Sequence, residues 1–483
     1  MRNFSVLALI TFLILSCSGN QGKKVTSIEG KVLSGNVGEV KIENIVDNPI
    51  KLSGETYVAE VDSNGRFSIE IPVDRLGKGQ IKAGRFFHKI ALMPGDELSV
   101  TIDADTIDYT GNGAAKNNFL YQTEVRGLWS RSFYNELIKG ELNPAAFLES
   151  MTDFNNRRLA FLASYADSAK IHPTFVDDYT TETQVIFEDL IQQYPRRYAY
   201  KKKVPRDSLD LPEEYSQITR FSNYVDDSKI LNANYLHSLR NRLYAKARDV
   251  AGIDTSLTME DALYAVLFDT LSGKTREYVL TKWITSKFSQ DQYDTIAIEK
   301  FREIEKDELA QQTFNSALKK FEEKRSLIGQ PLPAEISNTL LKDTGNVQLT
   351  FGEMMDQYKG KVVYLDLWSM GCGPCRVSMP HAKKLREKLQ DQPIEFVYAT
   401  VDDLSRYNWD QIFEVSLTDH NHYVLEKGFN SRLHNFMEIN WVPCYMIFDK
   451  NGHLTDFNAD RPTRHVAKQE TSLEKTLKKL AMR

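Results

Sequence analysis

Cysteines are the residues here whose type and spacing could do chemistry. The sequence holds four: Cys17, Cys372, Cys375 and Cys444. Two of them bracket a dipeptide in the run Cys372-Gly373-Pro374-Cys375. The apolar run 362–367 just upstream predicts a buried strand, and a helix is predicted to start at the pair. A thiol at a helix N-terminus feels the positive end of the macrodipole and unpaired backbone N–H groups. Both stabilise the thiolate and lower the cysteine pKa. The two-residue spacing lets the second sulfur lie beside the first, so the pair can form an easily reversed disulfide. Pro374 falls in the first helical turn, where its missing N–H costs little.

Two other uses of such a pair compete. A zinc site normally needs four ligands, typically as two pairs. The chain offers one CxxC, a lone Cys444 and nine scattered histidines. His420-Asn421-His422 is the nearest thing to a second pair, and i, i+2 is poor helical spacing for two ligands. No metal is expected. A purely structural disulfide is also disfavoured, because closing so short a loop removes little chain entropy.

The elements around the pair describe an α/β domain over 327–483. Gly329-Gln-Pro-Leu-Pro333 is a loop signal. Residues 347–351, 362–367, 394–401 and 445–449 are predicted strands, and 383–390 a helix. Asn451-Gly452 is the preferred dipeptide of a tight hairpin. Leu473, Leu477 and Leu480 fall at helical spacing and close the domain. Strands alternating with helices, then a hairpin and a helix, give an α/β fold.

With these residues in place, the stretch resembles a thioredoxin-fold active site. The likeness is to the TlpA/ResA-like branch of membrane-tethered bacterial thiol–disulfide oxidoreductases. It covers the C-terminal third of the chain. Gly329–Pro333 resembles the loop that opens these domains, and Gly360-Lys-Val-Val363 the entry to the central strand. Asp366, six residues before Cys372, resembles thioredoxin's buried carboxylate. Trp368 matches the aromatic residue four before the first cysteine. Pro380 matches the helix-kinking proline, and Val442-Pro443 the loop whose cis-proline faces the disulfide.

The resemblance implies roles. Cys372 is the exposed nucleophile and Cys375 the buried resolving thiol. Asp366, its pKa raised by burial, takes the Cys375 proton. Pro443 and Val442 leave backbone groups to pair with an incoming substrate strand. Trp368, Gly373 and Pro374 support the site. No cofactor is implied. Three positions depart from the family. Gly371, after Met370, stands where the family usually has Trp. The strand 394–401 has no lysine to pair with Asp366. Cys444 follows Pro443 directly, where a small buried strand residue is expected.

Upstream of this domain the texture is different. Over 25–112 the pattern has period two, as in Phe67, Ile69 and Ile71, and in Leu98, Val100 and Ile102. Turns at Asp62-Ser-Asn-Gly65 and Pro94-Gly-Asp96 separate the runs. These features predict a β-sandwich-like domain. It resembles, in pattern and position only, the β domain that often precedes a thioredoxin domain in bacterial envelope lipoproteins. Over 113–326 the spacing is helical, as in Phe147, Met151, Phe154, Phe161 and Tyr165, which predicts an all-α domain. Asn143-Pro144 fits an N-cap with Pro at the first helical position, and Thr258–Asp261 a capping box. The basic cluster Lys201-Lys202-Lys203 is expected in a solvated loop.

The remaining cysteine belongs to an address. Arg2 precedes an apolar stretch over 4–16, too short to span a bilayer and matched to a signal peptide. Ile14-Leu15-Ser16-Cys17 resembles a bacterial lipobox. Residues 1–16 would then be removed, and Cys17 lipidated ahead of a polar tether over 17–24. The bulk of the chain agrees with a multidomain globular protein. Its 483 residues give a prior of about three domains. Apolar residues make up 41% and charged residues 26%. A net charge of −5 excludes a global basic field for nucleic acid.

These observations imply a membrane-anchored thiol–disulfide oxidoreductase of the cell envelope, periplasm-facing or on the outer membrane. It would act as a disulfide reductase on envelope proteins and be kept reduced by a membrane electron donor. The alternatives are an envelope binding or scaffold lipoprotein with a secondary redox domain, and a thiol peroxidase. Against the second, the chain lacks the lone cysteine in a Pro/Thr-rich loop that peroxiredoxins use.

Overall fold

The computed structural model describes residues 25–483, apart from 36, 130–133, 136–138, 222–223, 255, 305, 403, 405–406, 438, 440 and 464–469. The signal segment 1–16, Cys17 and the tether 17–24 lie outside the described residues. The chain divides into two units. One runs to Ala245; the other runs from Lys246 to Arg483 and includes Ile50–Leu52.

The first unit opens with eight strands: β1 (Val25–Val32), β2 (Glu39–Val46), β3 (Glu55–Glu60), β4 (Arg66–Pro72), β5 (Gly77–Ala83), β6 (Phe86–Leu92), β7 (Glu97–Asp103) and β8 (Thr106–Asn112). They form two four-stranded sheets, ordered β4-β1-β7-β8 and β3-β2-β5-β6. One core joins them. Ile28, Ile71 and Val100 from the first sheet bury with Val40, Ile42 and Ile81 from the second. Alternation produces this, since every second side chain of a strand points to the same face. The turn at Gly65 takes φ 77°, a conformation that favours glycine. Asp62 steadies it by accepting the Asn64 and Arg66 N–H groups, each at 2.8 Å.

The central region is helical, and both units share it. Asn143 caps the helix Pro144–Ala169 by accepting the Ala146 N–H at 2.9 Å. Thr258 and Asp261 form the expected capping box. The basic cluster is a correction to the sequence reading. Lys201 and Lys202 form the last turn of the helix Pro173–Lys202, and Lys203 caps it in the left-handed region. Cations there oppose the negative end of the helix dipole. Among the described residues no helix is long and apolar enough to cross a membrane.

The C-terminal part of the second unit is an α/β domain with a seven-stranded sheet. Its strands are β9 (Leu340–Asp343), β10 (Gln348–Thr350), β11 (Val362–Trp368), β12 (Ile394–Thr400), β13 (His422–Leu425), β14 (Cys444–Phe448) and β15 (Leu454–Asp456). They lie in the order β10-β9-β13-β12-β11-β14-β15. The central strand β11 runs parallel to β12 and antiparallel to β14. All seven of its residues are buried, which suits a strand covered on both faces. Val363, Leu365 and Leu367 pack to one side with Leu433 and Met437. Val362, Tyr364 and Trp368 pack to the other with Met379, Leu385, Leu473 and Leu477. That second face is covered by the helices Gly373–Lys388 and Ser472–Ala481. The first of these begins at the cysteine pair, as the sequence predicts, and runs on through the helical stretch expected from 383. Conversely, the strand expected at 347–351 is cut short, because a capping box at Thr350 and Glu353 starts a helix at Phe351.

Candidate active site

The end of β11 and the start of the helix Gly373–Lys388 bring the two cysteines to one point. Cys372 and Cys375 are joined as a disulfide. Cys372 is the helix N-cap, and its Sγ accepts the Cys375 backbone N–H at 3.1 Å. Pro374 occupies the first turn, and no acidic residue shares that turn. The first sulfur thus lies where the helix presents its positive end and its free N–H groups. Exposure separates the pair. Cys372 is half-buried, whereas Cys375 is fully buried under the sheet face. Gly373 and Pro374 are exposed.

A second segment meets the exposed sulfur. The Val442–Pro443 peptide bond is cis. The Val442 carbonyl oxygen lies 3.5 Å from Cys372 Sγ. Met370, Cys372 and Val442 all pack against the same apolar cluster as Cys375.

Asp366 lies on β11, between Leu365 and Leu367. Period-two alternation along β11 puts it on the face of Tyr364 and Trp368, the face that Cys375 covers. Its register partners are Tyr398 on β12 and Tyr445 on β14. Asp366 is 2% exposed, and its Oδ1 has no hydrogen-bond partner. Burial disfavours the charged form and pushes this carboxyl up to about 8. The opposing influence comes from Arg461, whose positive charge favours the carboxylate. Sequence reasoning noted that β12 lacks a lysine and missed Arg461. It follows β15 in a segment without periodic pattern, so no sequence signal tied it to Asp366.

Trp368 is fully buried in the same cluster. Cys444 takes no part in the pair. It is paired in register with Leu367, on the opposite face of the sheet, and burial pushes its thiol up to about 12. It is the buried strand residue the sequence suggests.

The turn before Cys372 depends on Asp402, just beyond β12. Its carboxylate accepts the Met370 N–H at 2.6 Å, the Ser369 hydroxyl at 3.0 Å and the Thr400 hydroxyl at 2.7 Å. Asp402 was also missed, because an acidic residue after a strand is common in loops. The two histidines weighed as metal ligands are apart in environment. His422 is buried with Ser416 and the Thr418 carbonyl, while His420 is exposed. Among the described residues no group of three or more His, Cys, Asp or Glu side chains is placed to hold a metal.

Residues 360–454 match a protein family described as thioredoxin-like, so the C-terminal α/β domain is thioredoxin-like. No curated protein matches the chain. Among solved structures, the thioredoxin domain of a thiol-disulfide oxidoreductase from Bacteroides vulgatus is 19% identical, with a TM-score of 0.24. That likeness covers 31% of this chain and 99% of the other. A thiol:disulfide interchange protein from a Bacteroides species is 18% identical, with a TM-score of 0.25, over 30% of this chain and 86% of its own. An uncharacterized thioredoxin-like protein from Porphyromonas gingivalis is 15% identical, with a TM-score of 0.24, over 32% and 95% respectively.

The Asp366 carboxyl makes stability depend on pH with a defined sign. Its folded value of about 8 lies above the ordinary 3.8, so the folded chain holds this proton more tightly than the unfolded chain. Stability linked to that proton is intact below about pH 4 and declines as the pH rises towards 8. Asp366→Asn removes the ionisation and should flatten the decline, gaining on the order of 5 kcal/mol over the native chain above pH 8. Urea unfolding of the full chain at a series of pH values measures this. Parallel stability curves for the two proteins would show that Asp366 does not carry the buried proton.

Proposed function

We propose that the chain is a thiol–disulfide oxidoreductase of the TlpA/ResA-like kind that reduces disulfides in proteins of the cell envelope. The observation that carries this reading is the half-buried Cys372 sulfur at a helix N-terminus, bonded to a fully buried Cys375 that covers the sheet face bearing the buried Asp366.

In the reduced form the Cys372 thiolate attacks one sulfur of a substrate disulfide. A Cys372–substrate disulfide forms, and the other substrate sulfur leaves as a thiolate that takes a proton from water. Asp366 in its ionised form, left after it has given its proton to Cys375 in the reducing half-reaction, takes the Cys375 proton back as Cys375 attacks Cys372 Sγ. The Cys372–Cys375 disulfide forms, and the second substrate sulfur leaves. The substrate gains two electrons and the protein loses two. A carboxyl at about 8 keeps the received proton at neutral pH, which fits the oxidised state described here. When a donor dithiol restores the reduced form, Asp366 returns that proton to the departing Cys375 sulfur. Pro443 and the Val442 carbonyl border the attacked sulfur and supply the backbone edge along which a substrate strand would lie. Trp368 and Pro374 hold the strand end and the helix start on either side of it.

The reading places the protein at a membrane. The lipobox-like Ile14–Cys17 supports attachment through lipidated Cys17, with the redox domain on the envelope side. A membrane electron donor would supply the dithiol, because the envelope is kept oxidising.

Two tests separate the parts of this proposal. Cys375→Ser should accumulate mixed disulfides with partner proteins, because attack survives and resolution does not. Cys372→Ser should abolish both reduction and trapping; non-reducing gels showing equal trapping by the two variants would contradict the roles. For the anchor, Cys17→Ala should leave unprocessed precursor and abolish fatty-acid labelling. Normal maturation and unchanged membrane attachment in that variant would sink the lipoprotein assignment.

A further inference from the structure

The three residues between the buried strand and the helix N-cap form a turn whose hydrogen bonds lead to one side chain. The Cys372 N–H donates to the Ser369 carbonyl at 3.1 Å. The Gly371 N–H donates to Ser369 Oγ at 3.3 Å. Ser369 Oγ in turn donates to Asp402 Oδ1 at 3.0 Å. The Met370 N–H donates to Asp402 Oδ2 at 2.6 Å, beside the Thr400 hydroxyl at 2.7 Å. The Asp402 N–H closes the set by donating to Thr400 Oγ1 at 3.1 Å. Val401 pins the same corner by donating its N–H to the Trp368 carbonyl at 3.0 Å.

The turn has little else to fix it. Gly371 is exposed and has no side chain to pack. A Cβ built there would meet only Ser369 Oγ, at 3.9 Å. Met370 is half-buried. The backbone just before Cys372 is therefore set by a polar grip alongside the packing of one side chain, Met370, against the apolar cluster. Hydrogen bonds to a charged acceptor are the stronger kind, so a carboxylate suits the task.

We infer that Asp402 is a positioning residue for the proposed exchange reaction. It holds the Ser369–Gly371 turn so that Cys372 Sγ stays on the Cys375 N–H and beside the Val442 carbonyl. This rests on the oxidoreductase reading and adds a residue to it. Asp402 acts through the turn and touches neither sulfur. Its loss lets the N-cap sulfur drift from the amide that stabilises its thiolate, so both the ionisation of Cys372 and its rate of attack suffer.

The experiment uses the full chain in its reduced form and three variants, Asp402→Ala, Asp402→Asn and Ser369→Ala. Alkylation of Cys372 by iodoacetamide is followed against pH, and reduction of a small disulfide substrate is followed separately. In Asp402→Ala the alkylation midpoint should move to higher pH and substrate reduction should slow by about tenfold or more. Asp402→Asn keeps one acceptor oxygen and should fall between Asp402→Ala and the native chain. Ser369→Ala should reproduce part of the effect, and the double variant should be no worse than Asp402→Ala alone. A merely structural role would lower thermal stability and leave the alkylation midpoint in place, which overturns the inference. Additive effects of Asp402→Ala and Ser369→Ala overturn it too. If Asp402→Ala does not fold, Asp402→Asn and Ser369→Ala still decide, since an unmoved midpoint in both refutes the grip. Failure of the native chain to reduce the substrate, with the midpoint shift present, would instead count against the oxidoreductase reading.

Discussion

A carboxyl group buried on the sheet face that Cys375 covers is the constraint on which the rest of the site depends. Asp366 sits on a strand whose seven residues are all buried, between Tyr398 and Tyr445 on the neighbouring strands. An ionised carboxylate there would be expensive, so the group holds its proton to about pH 8. A chain optimised for stability alone would place an apolar residue at this position. Keeping a titratable one on the face that Cys375 covers costs stability above neutral pH, and in the proposed exchange reaction it would serve as the proton carrier. The layers serve that arrangement. Two helices cover the same face of the sheet, and one of them begins with the disulfide itself.

The two cysteines are chemically unequal because of where the chain puts them. Cys372 caps a helix at the surface and receives an amide N–H; Cys375 lies one turn inward with no exposure. The difference follows from the helix starting at Gly373, which a sequence with Pro374 in the first turn permits. Cys444 shows the contrast. It lies on the far face of the same sheet, and burial, chiefly, raises its thiol out of the reactive range. Position, more than residue type, decides which sulfur can do chemistry here.

Much of this was legible from the residues. Local patterns carried β11, the closing helix and the helix caps at Asn143 and Thr258, because periodicity and capping are encoded within a few positions. The cysteine spacing and the neighbouring Asp366, Trp368 and Val442-Pro443 carried the site. The misses have a common physical cause. Arg461 and Asp402 act across the sheet end, from segments with no periodicity of their own. The short strands β9 and β13 have only four residues each, too few for alternation to stand out. The Lys201–Lys203 cluster was misplaced because charge reads equally well as a loop or as a final helical turn.

The central claim is that the Cys372–Cys375 pair works as a reductant, and its reduction potential tests this most directly. The intervening dipeptide is Gly-Pro, and no histidine lies between the cysteines. The full chain is equilibrated with defined glutathione or dithiothreitol buffers at pH 7, and the state of the pair is read by thiol alkylation. The account predicts a potential near that of thioredoxin, about −270 mV. A value above roughly −180 mV, the range of protein disulfide isomerase and stronger oxidants, would contradict it.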